Sequence, residues 1–474
     1  MAACGFDWPP CVLAKLGGVA NQPVLLNTQD TDAEAEQLGL VPPGGVTSTC
    51  PKTTELPKGR PVSVPTPALP STSAQKGTPG RSSDESGSKR ERVWSATGNR
   101  PAIVRMTPTG IVATPNGRWL YVANNNNYGT EGGGGASVSV LNASTGLLQT
   151  TISHSSFNEP YAVAIDAAGR LVYVTNSNST TVTVIDTRSN KVVDVIPGFD
   201  GPSGFAITPD QKRAYVNNYG TETSGKTVNV VDLRTRRIVG SAIPVDLLPS
   251  ALTVSPNGKY VLVVCYVDGN PKTGMANLID TSTNKVITKT PGLSGPFDVV
   301  ISPDSRSAYV TNFGSNNFSP IGTTLAILSL RDRQVRITSS VELGIQPSGL
   351  ALTTDGRYAI AVNYNAVYAG DNFTDLTPGE GTLSIVDTRS LKVVAPTVRV
   401  GQGPHGVVLI PDEGNMRPVS VGRNDATSKN TNRNRSGSRS TSTRVKGGER
   451  KLRVAISNSI SNTVTLVDLE QVRK

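Results

Sequence analysis

Hydrophobic and polar positions alternate along this chain in short bursts, and the bursts come in sets of four. The clearest set begins at Pro160. Ala162-Val163-Ala164-Ile165 is a brief apolar run, and Asp166-Ala167-Ala168-Gly169 follows it as a turn. Leu171–Asn176 is β-branched and aromatic, Val182–Asp186 alternates, and Lys191–Ile196 closes the set after a turn at Arg188-Ser189-Asn190. Short period-two runs bounded by Gly, Asp, Asn and Ser predict strands joined by tight turns, so each set is a four-stranded antiparallel meander. No helical periodicity longer than about ten residues interrupts the sets.

The set recurs seven times in a fixed register. A Pro-x-Gly/Ala step opens the copies, with prolines at Pro108, Pro160, Pro202, Pro249, Pro296, Pro347 and Pro404; Asp298 is the departure from Gly or Ala. Sixteen residues after the first six prolines stand Asn124, Asn176, Asn218, Cys265, Asn312 and Asn363, and the seventh copy reaches Asn458 after an insertion. A spacing of 42 to 57 residues is the period of stacked or radial repeats. One four-stranded sheet cannot bury both faces, but seven packed around an axis can. The predicted fold is therefore all-β, a seven-bladed β-propeller of four-stranded antiparallel blades. An open solenoid would instead need capping repeats at its ends. The last copy has its strands at Val407–Ile410, Leu452–Asn458 and Thr463–Asp468, leaving little apolar sequence for a fourth. Upstream of the first copy, Ala102–Met106 stands where other copies have their fourth strand. It is expected to supply the outer strand of blade seven and so close the ring.

Tyr121-Val122-Ala123-Asn124, Tyr173-Val174-Thr175-Asn176 and Tyr309-Val310-Thr311-Asn312 resemble the signature of YVTN-family β-propeller repeats. Thr114–Gly117 and Val184–Thr187 fit the same pattern. The likeness covers about residues 101–414 and 450–474; Leu262–Cys265, Ile360–Asn363 and Ser329 depart from it. It implies a surface or periplasmic binding propeller, YncE-like, or a distant relative of lactonase-type propellers. It assigns no activity, because one fold hosts many functions.

Two irregular stretches flank or interrupt the repeats. Residues 1–100 are rich in Pro, Ser, Thr and Gly, a composition that cannot bury enough apolar area to offset ordering entropy, so a disordered tail is expected. Residues 101–474 form the propeller, with a basic flexible insertion at 415–449 between the first and second strands of blade seven. The net charge of +10 is concentrated outside the repeats: Asn415–Arg453 carries eleven Lys/Arg against two acids. Arg423, Arg433, Arg435, Arg439 and Arg444 give this insertion a candidate contact to nucleic acid or another acidic polymer through counterion release. No aromatics interleave there, so base stacking is unsupported. Met1–Gly18 has neither a basic start nor a sustained apolar core and does not read as a secretory signal. No run reaches membrane-span length. Compartment is therefore left open, with a surface location implied only by the resemblance. Cys265 ends a strand and reads as a small buried hydrophobe; Cys4, Cys11 and Cys50 lack zinc-site spacing.

Function is expected where the repeat is broken. The second-to-third-strand loops share one face with the Pro steps, and five are enlarged: 124–136, 218–227, 266–275, 312–323 and 363–381. Their Tyr128, Tyr219, Tyr266, Tyr364, Tyr368 and Asp371, together with Tyr161 and Phe297 at the rim, are the candidate binding face. The position after each proline should rim the central channel: Thr109, Tyr161, Ser203, Ser250, Phe297, Ser348 and His405. His405 and Asp298 are the weak catalytic candidates, for a general acid–base pair. They lie in blades five and seven, so direct contact is not expected. With only two histidines in the chain, no His-rich metal or haem site is expected, and no cofactor. The strand-end asparagines recur too often for an active site and read as turn caps. The reading is a monomeric, non-enzymatic propeller that presents a loop-decorated face to a protein or polysaccharide. A lactonase-like hydrolase in the channel mouth and nucleic-acid association through the insertion are the alternatives.

Overall fold

Each repeat proline begins a strand, and that regularity builds the molecule. In the computed structural model, which describes residues 92–103, 107–126, 136–221, 225–267, 273–314, 321–369, 375–395, 397–411 and 451–473, the second copy forms strands Pro160–Ile165, Leu171–Asn176, Thr181–Asp186 and Lys191–Pro197, paired antiparallel in that order. Six further sheets follow the same plan. The innermost strands of successive blades touch one another in cyclic order, and the seventh touches the first. The fold is a closed seven-bladed β-propeller. The middle two strands of each blade supply the core, as in Leu171–Asn176 and Thr181–Asp186 of blade two, while the outer Lys191–Pro197 stays largely open. Sheets pack face to face through clusters that each draw on two adjacent blades, for example Tyr173 and Val184 against Phe205 and Val216.

The turn into each blade explains the proline step. The residue before every repeat proline is left-handed: Thr107, Glu159, Gly201, Leu248, Gly295, Gln346 and Gly403 have φ between 52° and 63°. Its carbonyl accepts the N–H of the residue just after the second strand, as in Ser177 to Glu159 and Tyr266 to Leu248. Glycine is required at Gly201 and Gly295, where a Cβ would also strike backbone of Gly220 and Gly314. The next residue, proline, needs no donor at a strand start. The strand-end asparagines act as the expected caps. Asn176 Nδ2 reaches Thr181 and Thr183 hydroxyls at 2.9 Å, and Asn363 Nδ2 reaches Thr382 and Ser384 at 2.9 and 3.0 Å. In blade four, where Cys265 replaces the asparagine, Asn277 of the third strand donates to its Sγ at 3.4 Å. The thiol is fully buried, and burial pushes its pKa upward.

The ring closes as predicted in kind, with different bounds. The N-terminal strand is Arg92–Ile103, not Ala102–Met106, and it pairs along the third strand Thr463–Arg473 of blade seven. That third strand extends past Asp468 to Arg473 to meet it. Nine residues assigned to the tail, Arg92–Arg100, therefore belong to the sheet; residues 1–91 and the insertion's arginines lie outside the described residues. Trp94 is 1% exposed. Its ring sits edge-on to Tyr358 of blade six at 5.2 Å, and its backbone N–H donates to Val394 O of the same blade. Val394 is free to accept because the outer strand of blade six is broken into Lys392–Val393 and Val398–Arg399. The N-terminal strand thus pins blade seven to itself and to blade six.

Emptying the Trp94 site is expected to cost about 3–5 kcal/mol, so Trp94→Ala should move the urea midpoint sharply downward. A chain beginning at Pro108 should unfold at a lower midpoint than one beginning at Arg92; equal midpoints would show that ring stability does not depend on this strand.

Candidate functional site

Small hydroxyl side chains bind neighbouring blades together around the channel. At four of the seven positions after a repeat proline a Ser or Thr donates to a backbone carbonyl of the next blade: Thr109 to Tyr161 O (3.0 Å), Ser203 to Pro249 O (3.4 Å), Ser250 to Pro296 O (2.7 Å) and Ser348 to Pro404 O (2.6 Å). The other three copies carry a ring there: Tyr161, Phe297 and His405. In these copies alone a hydroxyl appears one residue before the strand-end asparagine, at Thr175, Thr311 and Ser457. Each of these accepts the N–H that follows the ring residue, from Ala162 (2.9 Å), Asp298 (3.1 Å) and Gly406 (2.9 Å). Thr311 and Ser457 also donate onward to the next blade, at Ser348 O and Thr109 O. The hydroxyl has changed strands, and the vacated inner position holds a ring.

Those three rings meet. His405 lies edge-on to Tyr161 at 5.4 Å and to Phe297 at 5.2 Å, and the Tyr161 hydroxyl lies 3.3 Å from His405 Nε2. Blades two, five and seven are not neighbours, so these contacts run across the axis. Phe297 continues the array by stacking on Phe313 at 5.4 Å, and Phe313 meets Tyr364 at 5.8 Å. The channel mouth is plugged by aromatic side chains. Desolvation inside the plug lowers the His405 pKa to about 3, so the imidazole is neutral at physiological pH.

Asp298 and His405 do not form a pair. Asp298 Oδ1 accepts Val299 N–H at 2.7 Å and Oδ2 accepts Leu350 N–H of blade six at 2.9 Å. The carboxylate is an interblade clamp. Burial raises its pKa to about 6, and the two backbone donors pull the other way.

The binding-face expectation needs correction for several residues. Tyr161, Tyr219, Tyr266 and Tyr364 are buried rather than presented to solvent, and Phe297 is half-buried. The cause is the turn geometry. Tyr219, Tyr266 and Tyr364 follow the second strand, and their N–H groups are held by the carbonyls of Gly201, Leu248 and Gln346, which turns the rings inward. Tyr219 and Tyr266 pack with Leu248, and Tyr364 with Phe313. Phe313 belongs to this set and was missed, although its place after Asn312 in the register marks it. The stretch 363–381, expected as a loop, contains a hairpin of Ala366–Ala369 and Asp375–Pro378 that rises from blade six on this face. Tyr368 lies on that hairpin; Tyr128 and Asp371 lie outside the described residues. Among the described residues no group of three or more His, Cys, Asp or Glu is placed to hold a metal, and no helix is long and apolar enough to cross a membrane.

The neutral His405 has a signed consequence. Its folded pKa lies below that of the unfolded chain, so between about pH 6.5 and 3 the unfolded state binds more protons and stability falls on acidification. From pH 6.5 to 5 the loss is on the order of 2 kcal/mol. Asp298, with a raised folded pKa, contributes in the opposite sense between about pH 6 and 4, so the His405 contribution is read as a difference. His405→Gln should lose about this much less stability than wild type on going to pH 5 in urea melts, and parallel curves would contradict a neutral buried imidazole.

No family model matches the chain. It is 26% identical over 336 residues to the seven-bladed beta-propeller protein Rv1057 of Mycobacterium tuberculosis, covering 64% of this chain and 77% of that one. Over 103 residues it is 29% identical to the protein YncE of Salmonella typhi, covering 21% and 27%. A 60-residue match at 50% identity to the PE-PGRS family protein PE_PGRS18 of Mycobacterium tuberculosis spans 13% of either chain. Among solved structures, a chain of Kuenenia stuttgartiensis hydrazine synthase superposes with a TM-score of 0.55 at 20% identity, over 78% of this chain and 96% of that one. At that identity the likeness concerns the fold. Seven blades, the Tyr-Val-x-Asn strand ends and these relatives agree: the chain is a seven-bladed β-propeller, similar over parts of its length to Rv1057 and YncE.

Proposed function

We propose that this protein is a non-enzymatic binding propeller whose second-to-third-strand loop face engages a protein or polysaccharide. The observation that carries this reading is the aromatic plug. Tyr161, Phe297 and His405 fill the axis where a channel-mouth hydrolase would seat its substrate. The two groups that acid–base chemistry would recruit are already committed, Asp298 to backbone N–H groups and His405 to the plug. Contact then falls to the second-to-third-strand loops. The blade-six hairpin is their most built element, and Tyr128, Tyr368 and Asp371 belong to the same loops. The basic insertion, with Arg423, Arg433, Arg435, Arg439 and Arg444, adds attraction to an acidic surface.

Replacing 366–378 by a short Gly-Ser linker should leave the thermal midpoint within a few degrees of wild type. It should also abolish binding on a glycan array or to a cross-linked protein partner. Retained binding by the folded variant would remove the hairpin face from the reading. Turnover of lactone substrates that is lost in His405→Gln and Asp298→Asn would restore the hydrolase alternative.

A further inference from the structure

The proline register also fixes a charge pattern. In the first six copies the tenth residue after the proline is basic: Arg118, Arg170, Lys212, Lys259, Arg306 and Arg357. Each ends the turn between the first and second strands; the first five are exposed and Arg357 is half-buried. The six turns have one length and close alike, as in blade four, where Ser255 N–H donates to Tyr260 O and Gly258 N–H to Ser255 O, both at 2.8 Å. The six basic residues therefore stand at one level around the ring. In an antiparallel meander the third-to-fourth-strand turns emerge on this same face, opposite the enlarged loops. Counted with the strand residue at either end, the twelve turns of blades one to six hold seventeen Lys/Arg against nine Asp, a net charge of +8. The segments of the opposite face, which join second to third strands and one blade to the next, hold ten acids against four Lys/Arg when counted in the same way. The disc is positive on its turn face and negative on its loop face.

The acids of the turn face are bonded back to their own turns. Asp210 accepts Lys212 N–H and Asp304 accepts Arg306 N–H, both at 3.0 Å. Cations at one level suit a planar anionic partner. Attraction to headgroup charge fades within a Debye length, so only cations that reach the plane together can all contribute. A nucleic-acid duplex is a rod, and lying across the ring it would reach the turns of a few blades only. Between their flanking strands none of the twelve turns carries an aromatic side chain on which a base could stack. We propose that the turn face docks on the surface of an anionic phospholipid bilayer. The contact is separate from the loop-face binding proposed above and leaves that face turned away from the bilayer.

The test is co-sedimentation of the full chain with phosphatidylcholine vesicles that contain or lack phosphatidylglycerol, at low and high NaCl. The expected result is pelleting with the anionic vesicles alone, released at high salt. Lys212→Glu/Lys259→Glu/Arg306→Glu changes three exposed residues that take no part in the ion pairs of Arg170, Arg333 and Arg357. This variant should keep a thermal midpoint within a few degrees of wild type and partition onto anionic vesicles at least about tenfold less. Lys212→Gln/Lys259→Gln/Arg306→Gln should bind to an intermediate extent, and it serves as the test if the charge reversal unfolds the chain. No binding to anionic vesicles, or equal binding to neutral ones, would overturn the proposal. Undiminished binding by the folded variants would also overturn it, by assigning the attraction to the insertion. So would tighter binding of a DNA duplex at the same salt, or pelleting without vesicles, which would show the two charged faces pairing with each other.

Discussion

The structure depends on one antiparallel pairing between residues far apart in sequence. Arg92–Ile103 lies along Thr463–Arg473, with Arg100 bonded to Asp468 at 3.1 Å. Every other blade is local: its four strands follow one another, and its sheet is complete when the meander ends. Blade seven alone waits for the first strand of the chain. Until that strand docks, blade seven offers an unpaired edge, which is an aggregation hazard, and its face toward blade six lacks Trp94. Closure therefore makes seven semi-independent sheets into one cooperative body, and its loop-closure entropy is incurred once for the whole ring.

The closing strand was only partly legible in the sequence, for a physical reason. Arg92–Ile103 contains Gly98 and Pro101, both poor residues for a strand interior. They are tolerated because the strand is outermost: Pro101 lacks a donor that an edge position need not supply, and Gly98 sits at a bulge opposite Asp468. The preceding Pro/Ser/Thr/Gly-rich sequence extends the same composition, so Trp94 read as tail. The repeat itself was far more legible. The proline step, the left-handed residue before it and the strand-end asparagine are local features, and local conformational rules suffice to read them. Burial of Tyr219, Tyr266 and Tyr364 was not local in that sense. It follows from an N–H to the left-handed carbonyl eighteen residues earlier, which no window of alternation contains.

The aromatic plug occupies a middle ground. Its signal is written in the chain as a compensated exchange: Ser or Thr after the proline, or else a ring there with a hydroxyl just before the strand-end asparagine, Thr175 and Thr311 fourteen residues after their rings and Ser457 before Asn458. Reading it requires knowing that these two positions face each other across the first and second strands. Once that is known, the exchange explains why three rings can enter the axis without cost to the hydrogen bonds that hold the inner strands. A ring inserted without the displaced hydroxyl would leave the next N–H, at Ala162, Asp298 or Gly406, without its side-chain acceptor.

The exceptions to sevenfold regularity are not scattered evenly. The position after the second strand is aromatic in blades three to six, at Tyr219, Tyr266, Phe313 and Tyr364, and polar in blades seven, one and two, at Ser459, Asn125 and Ser177. Glu159, a buried carboxylate, falls in the polar half, and the added hairpin rises from the apolar half. A ring built from near-identical units has no preferred rotation about its axis. This division gives the mouth one, so a partner that contacts both halves can be bound in a single orientation. Specificity in such a scaffold arises from where the departures lie around the ring, because the repeated positions are consumed in holding the ring together.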